Sequence, residues 1–460
     1  MMRKSRLGGV VALGAALALT LTGCGNGDDT SAPASPDTPA TGEGTPPPTD
    51  PPAPGREPVT ITWWHNNTAD PILGFFEEIA REFEALPGNE HVTVVVEGFQ
   101  NEVLRDTILP TAIAGGTAPD IFQSWGGGEL LNYVHNGVVM DISSFVPEPI
   151  AAGAEAFRVG DGIYGMPYRS LPSGFWVNMN LWEQAGLTED DFPETLEELF
   201  ATWETLQAAG IIPVAVGGVD GWPAAHWWYW TALRSVAPEA MQNAIVNGDF
   251  SDPGWVEAGE LLQTILDRGA FNPGWEATSA QQGAASASGM VVLGQAAMQL
   301  MGTWDFGTMG NIYNEAMGLP SDAIEHGEFL SWFPFPQVPG GGGDPLAIMG
   351  GVDGFSVHAD APVEAAELLA FIVSTPMQQR YASYGNIPID PAATSYMPDG
   401  PLVLPAQAVA EATSIQLWLD TALGPVVGGG MNAAIVAFMT GQGSPQDVVD
   451  ALQALAAHMD

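Results

Sequence analysis

Tryptophan offers the most chemistry in this sequence, because many of its 15 copies stand beside amides, imidazoles and carboxylates. Trp63-Trp64-His65-Asn66-Asn67 closes one apolar run; Gln123-Ser124-Trp125 closes another and is followed by three glycines at 126–128. The stretch from Trp222 through His226 and Trp227 to Trp230 repeats the pairing, and so does Trp304-Asp305. A sugar presents flat apolar C–H faces between rings of hydroxyls, so its site needs aromatic plates with hydrogen-bonding groups at their rims. The candidate ligand contacts are therefore Trp64, His65, Asn66, Asn67, Gln123, Trp125, Trp222, His226, Trp227, Trp304 and Asp305. For any single tryptophan, packing in a core competes with binding.

Other chemistries find less support. His65 and His226 form no His-x-x-x-His pair, so no zinc site is assigned. There is no Gly-x-Ser-x-Gly elbow and no phosphate-binding glycine loop of the Walker kind, and Lys4 is the only lysine. Two suitably spaced carboxylates would suffice for glycoside hydrolysis, but among 54 acidic residues a pair carries no information. No catalytic residue, cofactor or metal is expected.

The elements that must position these residues alternate. Val59 to Trp63 reads as a strand, 71–86 as an amphipathic helix through Ile72, Phe76, Ile79, Phe83 and Leu86, and 92–97 as a strand. A helix over 102–114 and a short buried strand over 119–123 follow. Such alternation predicts an α/β fold with crossover helices, and the ends of its strands are where open α/β sheets place ligands. By strand alternation one of Trp63 and Trp64 points into the core and the other toward the cleft. Thr195 and Glu198 form a capping box before a helix, 211–216 returns as a strand, and Ser444 with Asp447 caps a final helix.

The ends and the charge set the surroundings. Arg3, Lys4 and Arg6 precede an apolar stretch, Leu7 to Thr22, that is short for a membrane span, and a small residue precedes the only cysteine, Cys24. Leu21-Thr22-Gly23-Cys24 resembles a bacterial lipobox, which implies a signal peptide over 1–23 and a lipid on Cys24. The alternative is an ordinary signal peptide with an incidental cysteine. No second apolar run of spanning length is expected. Residues 24–58, rich in Pro, Thr and Gly, lack the apolar side chains that repay ordering and read as an extended tether. The body beyond is long enough, at 46% hydrophobic residues, for two lobes. Formal charge is −43 and moves to about −46 once the signal is removed. That excludes nucleic acid as a partner and directs the ligand class toward neutral molecules, unless acidity serves only solubility or a salty habitat.

Six segments in order then carry a family resemblance: Ile61 to Asn66 (ITWWHN), Gly116 to Phe122 (GTAPDIF), Tyr164 to Tyr168 (YGMPY) running into Gly174 to Asn178 (GFWVN), Gly294 to Met298 (GQAAM) with Gly302 to Trp304 (GTW), Gly350 to Gly354 (GGVDG) and Gly385 to Pro388 (GNIP). The chain resembles the extracellular solute-binding proteins of bacterial ABC importers, in particular those delivering oligosaccharides. The resemblance implies a two-lobed periplasmic-binding-protein-like fold (type II) with ligand between lobes joined by hinge strands. It implies lobe 1 over 59–170 and 346–394, lobe 2 over 171–345 and 395–460, and crossings near Tyr168 to Phe175 and Met349 to Phe355. Arg169 beside the first crossing either donates to a sugar hydroxyl or neutralises a buried carboxylate. Asp353 in the second either accepts from hydroxyls or serves the hinge. The function implied is an exported, lipid-anchored monomer on the outer face of the cell membrane. It would hand a neutral xylobiose-, cellobiose- or chitobiose-like ligand to an ABC permease. An exported glycan hydrolase or a carbohydrate-binding surface lipoprotein without a transporter stands as the alternative.

Overall fold

The computed structural model describes residues 56–68, 71–321 and 323–457. The signal segment, Cys24 and the tether up to residue 55 lie outside the described residues. Strand and helix periods build the first lobe as the sequence predicts. In β1 (Val59–His65) the alternate residues Ile61, Trp63 and His65 turn to the buried face. Helix α1 (Ile72–Glu84) buries Ile72, Phe76, Ile79 and Phe83 at helical spacing. It ends at Glu84, ahead of Pro87, which cannot continue a helix, so Leu86, expected on its apolar face, lies beyond the helix and is exposed. β2 (Val92–Gly98) pairs in parallel with one edge of β1, Val59 opposite Val92. β3 (Ile121–Ser124), buried throughout, pairs in parallel with the other, Trp63 opposite Ile121.

The expected single helix over 102–114 is broken. A π-helical turn, Leu104–Ile108, separates Asn101–Val103 from Leu109–Ala114, and the Leu109 N–H reaches back five residues to the Leu104 carbonyl. Pro110 is the physical reason: it has no N–H to give, and its ring would clash with the carbonyl four residues earlier.

Two long strands join this lobe to the second. β4 (Met166–Asn178) and β8 (Ile348–Val357) run antiparallel, with Gly350 opposite Pro172 and Asp353 opposite Arg169. Beyond Pro172, β4 pairs with β6 (Ala296–Gly302) and β7 (Leu330–Phe333), and β5 (Ile212–Val214) lies parallel to β6. The strand order is β2-β1-β3-β8-β4-β6-β5, with the short β9 (Ile415–Gln416) added to β8. The core divides in two along the same line. Ile61 to Tyr168 packs with Phe355 to Tyr381, and Phe175 to Met349 packs with Trp418 to Leu452.

Helices complete both lobes: α2 (Gly127–His135), α3 (Leu196–Ala208), α4 (Trp222–Ser235), α5 (Asp305–Met317), α6 (Leu419–Met439) and α7 (Pro445–Ala456). The capping boxes Thr195/Glu198 and Ser444/Asp447 both form. Helix α6 corrects one expectation. At 21 residues it is long and apolar enough to cross a membrane by length and hydropathy. It nonetheless carries a buried Asp420, kinks at Gly424 before Pro425, and packs on α2, α4 and α7, which makes it a core helix.

Candidate functional site

At the end of β1 the two tryptophans separate by strand parity. Trp63 is fully buried, edge-on to Phe355 at 5.1 Å between ring centres, while Trp64 is half-buried against Phe99 at 5.2 Å. His65 returns to the buried face. Its Nδ1 accepts from the Asn67 N–H at 3.1 Å and its Nε2 has no hydrogen-bond partner. Burial, with the nearby Arg169 guanidinium, lowers its pKa to about 4, so the ring is neutral at physiological pH. The parallel register sets Gln123 beside it on β3, fully buried with both amide atoms unpaired.

Asn66 donates to Asn101 at 3.0 Å and accepts from Asn67 at 3.2 Å. Asn67 also donates to the Tyr168 hydroxyl at 3.3 Å and accepts from Arg169 at 3.4 Å. Arg169 and Asp353, opposite each other in the β4–β8 register, form a buried ion pair with the Arg169 Nε 3.0 Å from Oδ2. Of the two roles open to Arg169, the structure shows charge neutralisation, and Asp353 spends its Oδ2 on the strand pair.

The second lobe gathers an aromatic corner. Trp222 opens α4 and His226 follows one turn later on the same face, 5.0 Å away. His226 lies flat on Trp418 at 4.7 Å and 8°, and Trp304 stands edge-on to Trp418 at 5.6 Å and 6.0 Å from Trp222. Trp222 and Trp304 are half-buried. Glycines make the corner possible: a Cβ at Gly302 would fall 1.8 Å from the Trp304 ring, and one at Gly351 2.5 Å from the Trp418 Nε1. Burial lowers the His226 pKa to about 4, opposed by Asp420. Trp227, one position on, faces away into the core between Phe175, Phe271 and Phe335 and is 1% exposed. It is not brought to the corner.

Asp305 does not extend toward the corner either. Fully buried in the first turn of α5, it accepts from Gln281 at 2.6 Å, from Ser288 at 2.9 Å and from Gln299. Burial raises its pKa to about 6 against these bonds.

The lobes meet beside Trp125. Gly127 and Gly128 at the start of α2 lie against α6 so closely that a Cβ would come within 2.3 Å of the Thr421 carbonyl and 2.6 Å of the Gly424 Cα. Trp125 is 8% exposed, with the Arg105 guanidinium over its ring at 5.6 Å. Sequence reasoning missed Arg105, Glu129, Tyr229, Trp418, Asp420 and Asn432 around this junction. Leu417-Trp418-Leu419-Asp420 carried a usable signal, since it sets an aromatic near an acid after a strand as Trp304-Asp305 does. A groove of about 590 Å³ lies between 218–221 and α6 and shares Asn432 with the junction, but its lining has no aromatic plate. The aromatic corner is the better candidate.

The profile of the bacterial extracellular solute-binding proteins matches residues 68–379. The chain belongs to this family. Its two lobes and hinge strands are those of a two-lobed extracellular solute-binding protein. The chain is 24% identical over 337 residues to an uncharacterized ABC transporter extracellular-binding protein of Pyrococcus horikoshii, covering 71% of this chain and 70% of that one. It is 25% identical to a probable sugar-binding periplasmic protein of Mesorhizobium japonicum, over 54% of this chain and 58% of that one. It is 22% identical to the sn-glycerol-3-phosphate-binding periplasmic protein UgpB of Rhizobium meliloti, over 48% and 54%. Among solved structures, a chitin oligosaccharide binding protein superposes with a TM-score of 0.74 at 24% identity, covering 87% of this chain and 98% of that one. A protein from work on xylan utilization by the thermophilic bacterium Caldanaerobius polysaccharolyticus gives 0.73 at 24%, covering 86% and 99%. At these identities the superpositions speak for the fold.

Proposed function

We propose that this solute-binding protein serves an ABC sugar importer. It captures a neutral di- or oligosaccharide of the xylobiose, cellobiose or chitobiose kind between its lobes and delivers it to the permease. The carrying observation is the corner of Trp222, His226, Trp304 and Trp418, which offers half-buried plates beside polar groups at the junction with Arg105 and Trp125 of the other lobe. In this reading lobe 1 comprises 59–170 and 346–394, and lobe 2 comprises 171–345 and 395–460. Trp64, Asn66 and Asn67 are read as the first wall, with His65 and Gln123 fully buried behind them. The names of the chitin- and xylan-related neighbours support the ligand class. A phosphate ester, suggested by the Rhizobium relative, suits an arginine-poor and strongly acidic chain less well.

The test is calorimetric titration with xylobiose, cellobiose, chitobiose and sn-glycerol 3-phosphate, followed by small-angle scattering with the tightest binder. Ligand that contacts both lobes favours their closed arrangement, so a bound neutral sugar is expected to leave a smaller or an already compact particle. Tight binding of the phosphate ester with no sugar binding would replace this reading.

The chain is also proposed to be tethered through lipid on Cys24 to the outer face of the membrane. Cys24→Ser is expected to move the protein from the detergent phase to the medium; retention of the mutant at the membrane would remove the anchor.

A further inference from the structure

Arginine is scarce in this protein, and the use made of each copy is informative. Among the described residues, six arginines pair with carboxylates, and Arg234 spends its guanidinium on four backbone carbonyls. The Arg105 guanidinium alone makes no ion pair within 4.0 Å and no hydrogen bond among the described residues. It is nevertheless held in place, with its guanidinium 5.6 Å over the Trp125 ring on the π-helical turn Leu104–Ile108. π-turns inside helices recur at functional sites because they re-aim a side chain. Here the turn directs a cation at the junction where α2 of one lobe rests on α6 of the other.

The surroundings define what such a cation can bind. Asp420 and Tyr229 of the second lobe, and Glu129 and Asp106 of the first, are the charged and titratable groups acting on Arg105. Asp420 Oδ1 accepts from the Thr421 N–H at 2.8 Å and from the Thr421 hydroxyl at 3.4 Å, while Oδ2 accepts from Asn432 at 3.1 Å and keeps a free lone pair. Glu129 takes the Tyr133 hydroxyl at 2.8 Å. An anionic ligand would satisfy Arg105 but meet three carboxylates. A neutral pair of adjacent hydroxyls fits both sides, because a hydroxyl accepts from the guanidinium and donates onward to a carboxylate.

We infer that Arg105 and Asp420, one from each lobe, read adjacent hydroxyls of a neutral sugar, with Trp125 as the positioning residue beneath Arg105. The inference rests on the sugar-binding reading above and deepens it: specificity for hydroxyl configuration is set at the lobe junction and is complete only when the lobes meet. It also gives Trp125 a different task from a free stacking plate, since one face of its ring is already covered by the guanidinium.

The experiment uses the full chain, the tightest binder among xylobiose, cellobiose and chitobiose, and the series of its monodeoxy derivatives, titrated into wild type, Arg105→Gln and Arg105→Lys. Loss of a charge-assisted hydrogen bond is expected to weaken the parent sugar about 10- to 100-fold in Arg105→Gln. That penalty should vanish for the one derivative lacking the hydroxyl that Arg105 holds, with the melting temperature of the ligand-free protein unchanged. Arg105→Lys keeps the charge without the planar fork and should show a smaller loss with the same pattern; it carries the comparison if Arg105→Gln does not fold. Equal affinity of wild type and variants for the parent sugar overturns the inference and leaves the sugar reading standing. A penalty uniform across every derivative also overturns it, because Arg105 would then act on closure or folding. Failure of wild type to bind any of the sugars overturns the reading beneath it.

Discussion

Trp222, His226 and Trp227 occupy little more than one turn of α4, yet only the first two share a face with Trp304 and Trp418. Trp227, rotated by about 100° from its neighbour, fills the second core. The two kinds of tryptophan should answer mutation oppositely. Trp304→Ala removes a half-buried plate and is expected to cost roughly 1–3 kcal/mol of sugar affinity, in the range of aromatic stacking on a ring ligand, with little change in melting temperature. Trp227→Ala opens a cavity and is expected to cost about 3–5 kcal/mol of stability while the remaining folded protein binds normally. Parallel chemical denaturation and calorimetry separate the two; the reverse pattern would exchange their roles.

The hinge is an element-scale device. β4 and β8 place Arg169 and Asp353 opposite each other in antiparallel register, and the pair is bonded where the register shifts between Asp353 and Gly354. A buried ion pair contributes little against an apolar substitute, but removing one partner strands the other charge. Asp353→Ala is therefore expected to lose about 3–5 kcal/mol in urea unfolding, and Asp353→Asn less because it keeps an acceptor for Arg169. An Asp353→Ala protein as stable as wild type would show that water reaches Arg169. Local rules made much of this scale legible. Thr195, Glu198, Ser444 and Asp447 announced two helix starts because a capping box is complete within four residues. The break at 104–108 was not announced, although Pro110 was visible, because a proline can end, kink or widen a helix and neighbouring packing selects among these.

For the whole molecule, buried titratable groups give stability a pH dependence of two signs. Burial is the first cause in each case: it lowers His65, His226 and His326 to about 4 and raises Asp305 to about 6. Unfolded histidine titrates near 6.5, so between about 6.5 and 4 the unfolded chain binds more protons at the three histidines, and their contribution is lost as pH falls. Asp305 works the other way. Its folded pKa lies above the ordinary 3.8, so its contribution is fully present below about 3.8 and is lost as pH rises through about 6. Thermal melts from pH 7.5 to 4.5 should fall toward acid, and Asp305→Asn should fall more steeply because the opposing proton uptake is gone. Parallel profiles for wild type and Asp305→Asn would mean that this carboxyl titrates as it does in the unfolded chain.

By itself the sequence determined the alternation of strands and helices at the start of the body, the α/β class, two capped helix starts and the strand-end places where aromatic and polar residues sit together. These are short-range consequences of side-chain period, capping and composition, present within a window of a few residues. Only the tertiary structure decided which of those residues reach the junction. Trp227 and Asp305 share their local motifs with His226 and Trp304, but one turns into the core and the other spends its carboxylate on Gln281, Ser288 and Gln299. Arg105 and Asp420 lie more than three hundred residues apart, on different lobes, and no window of sequence contains both. What brings them together is the packing of Gly127 and Gly128 on the Thr421–Gly424 turn, a contact between backbones that leaves no periodic trace in either segment.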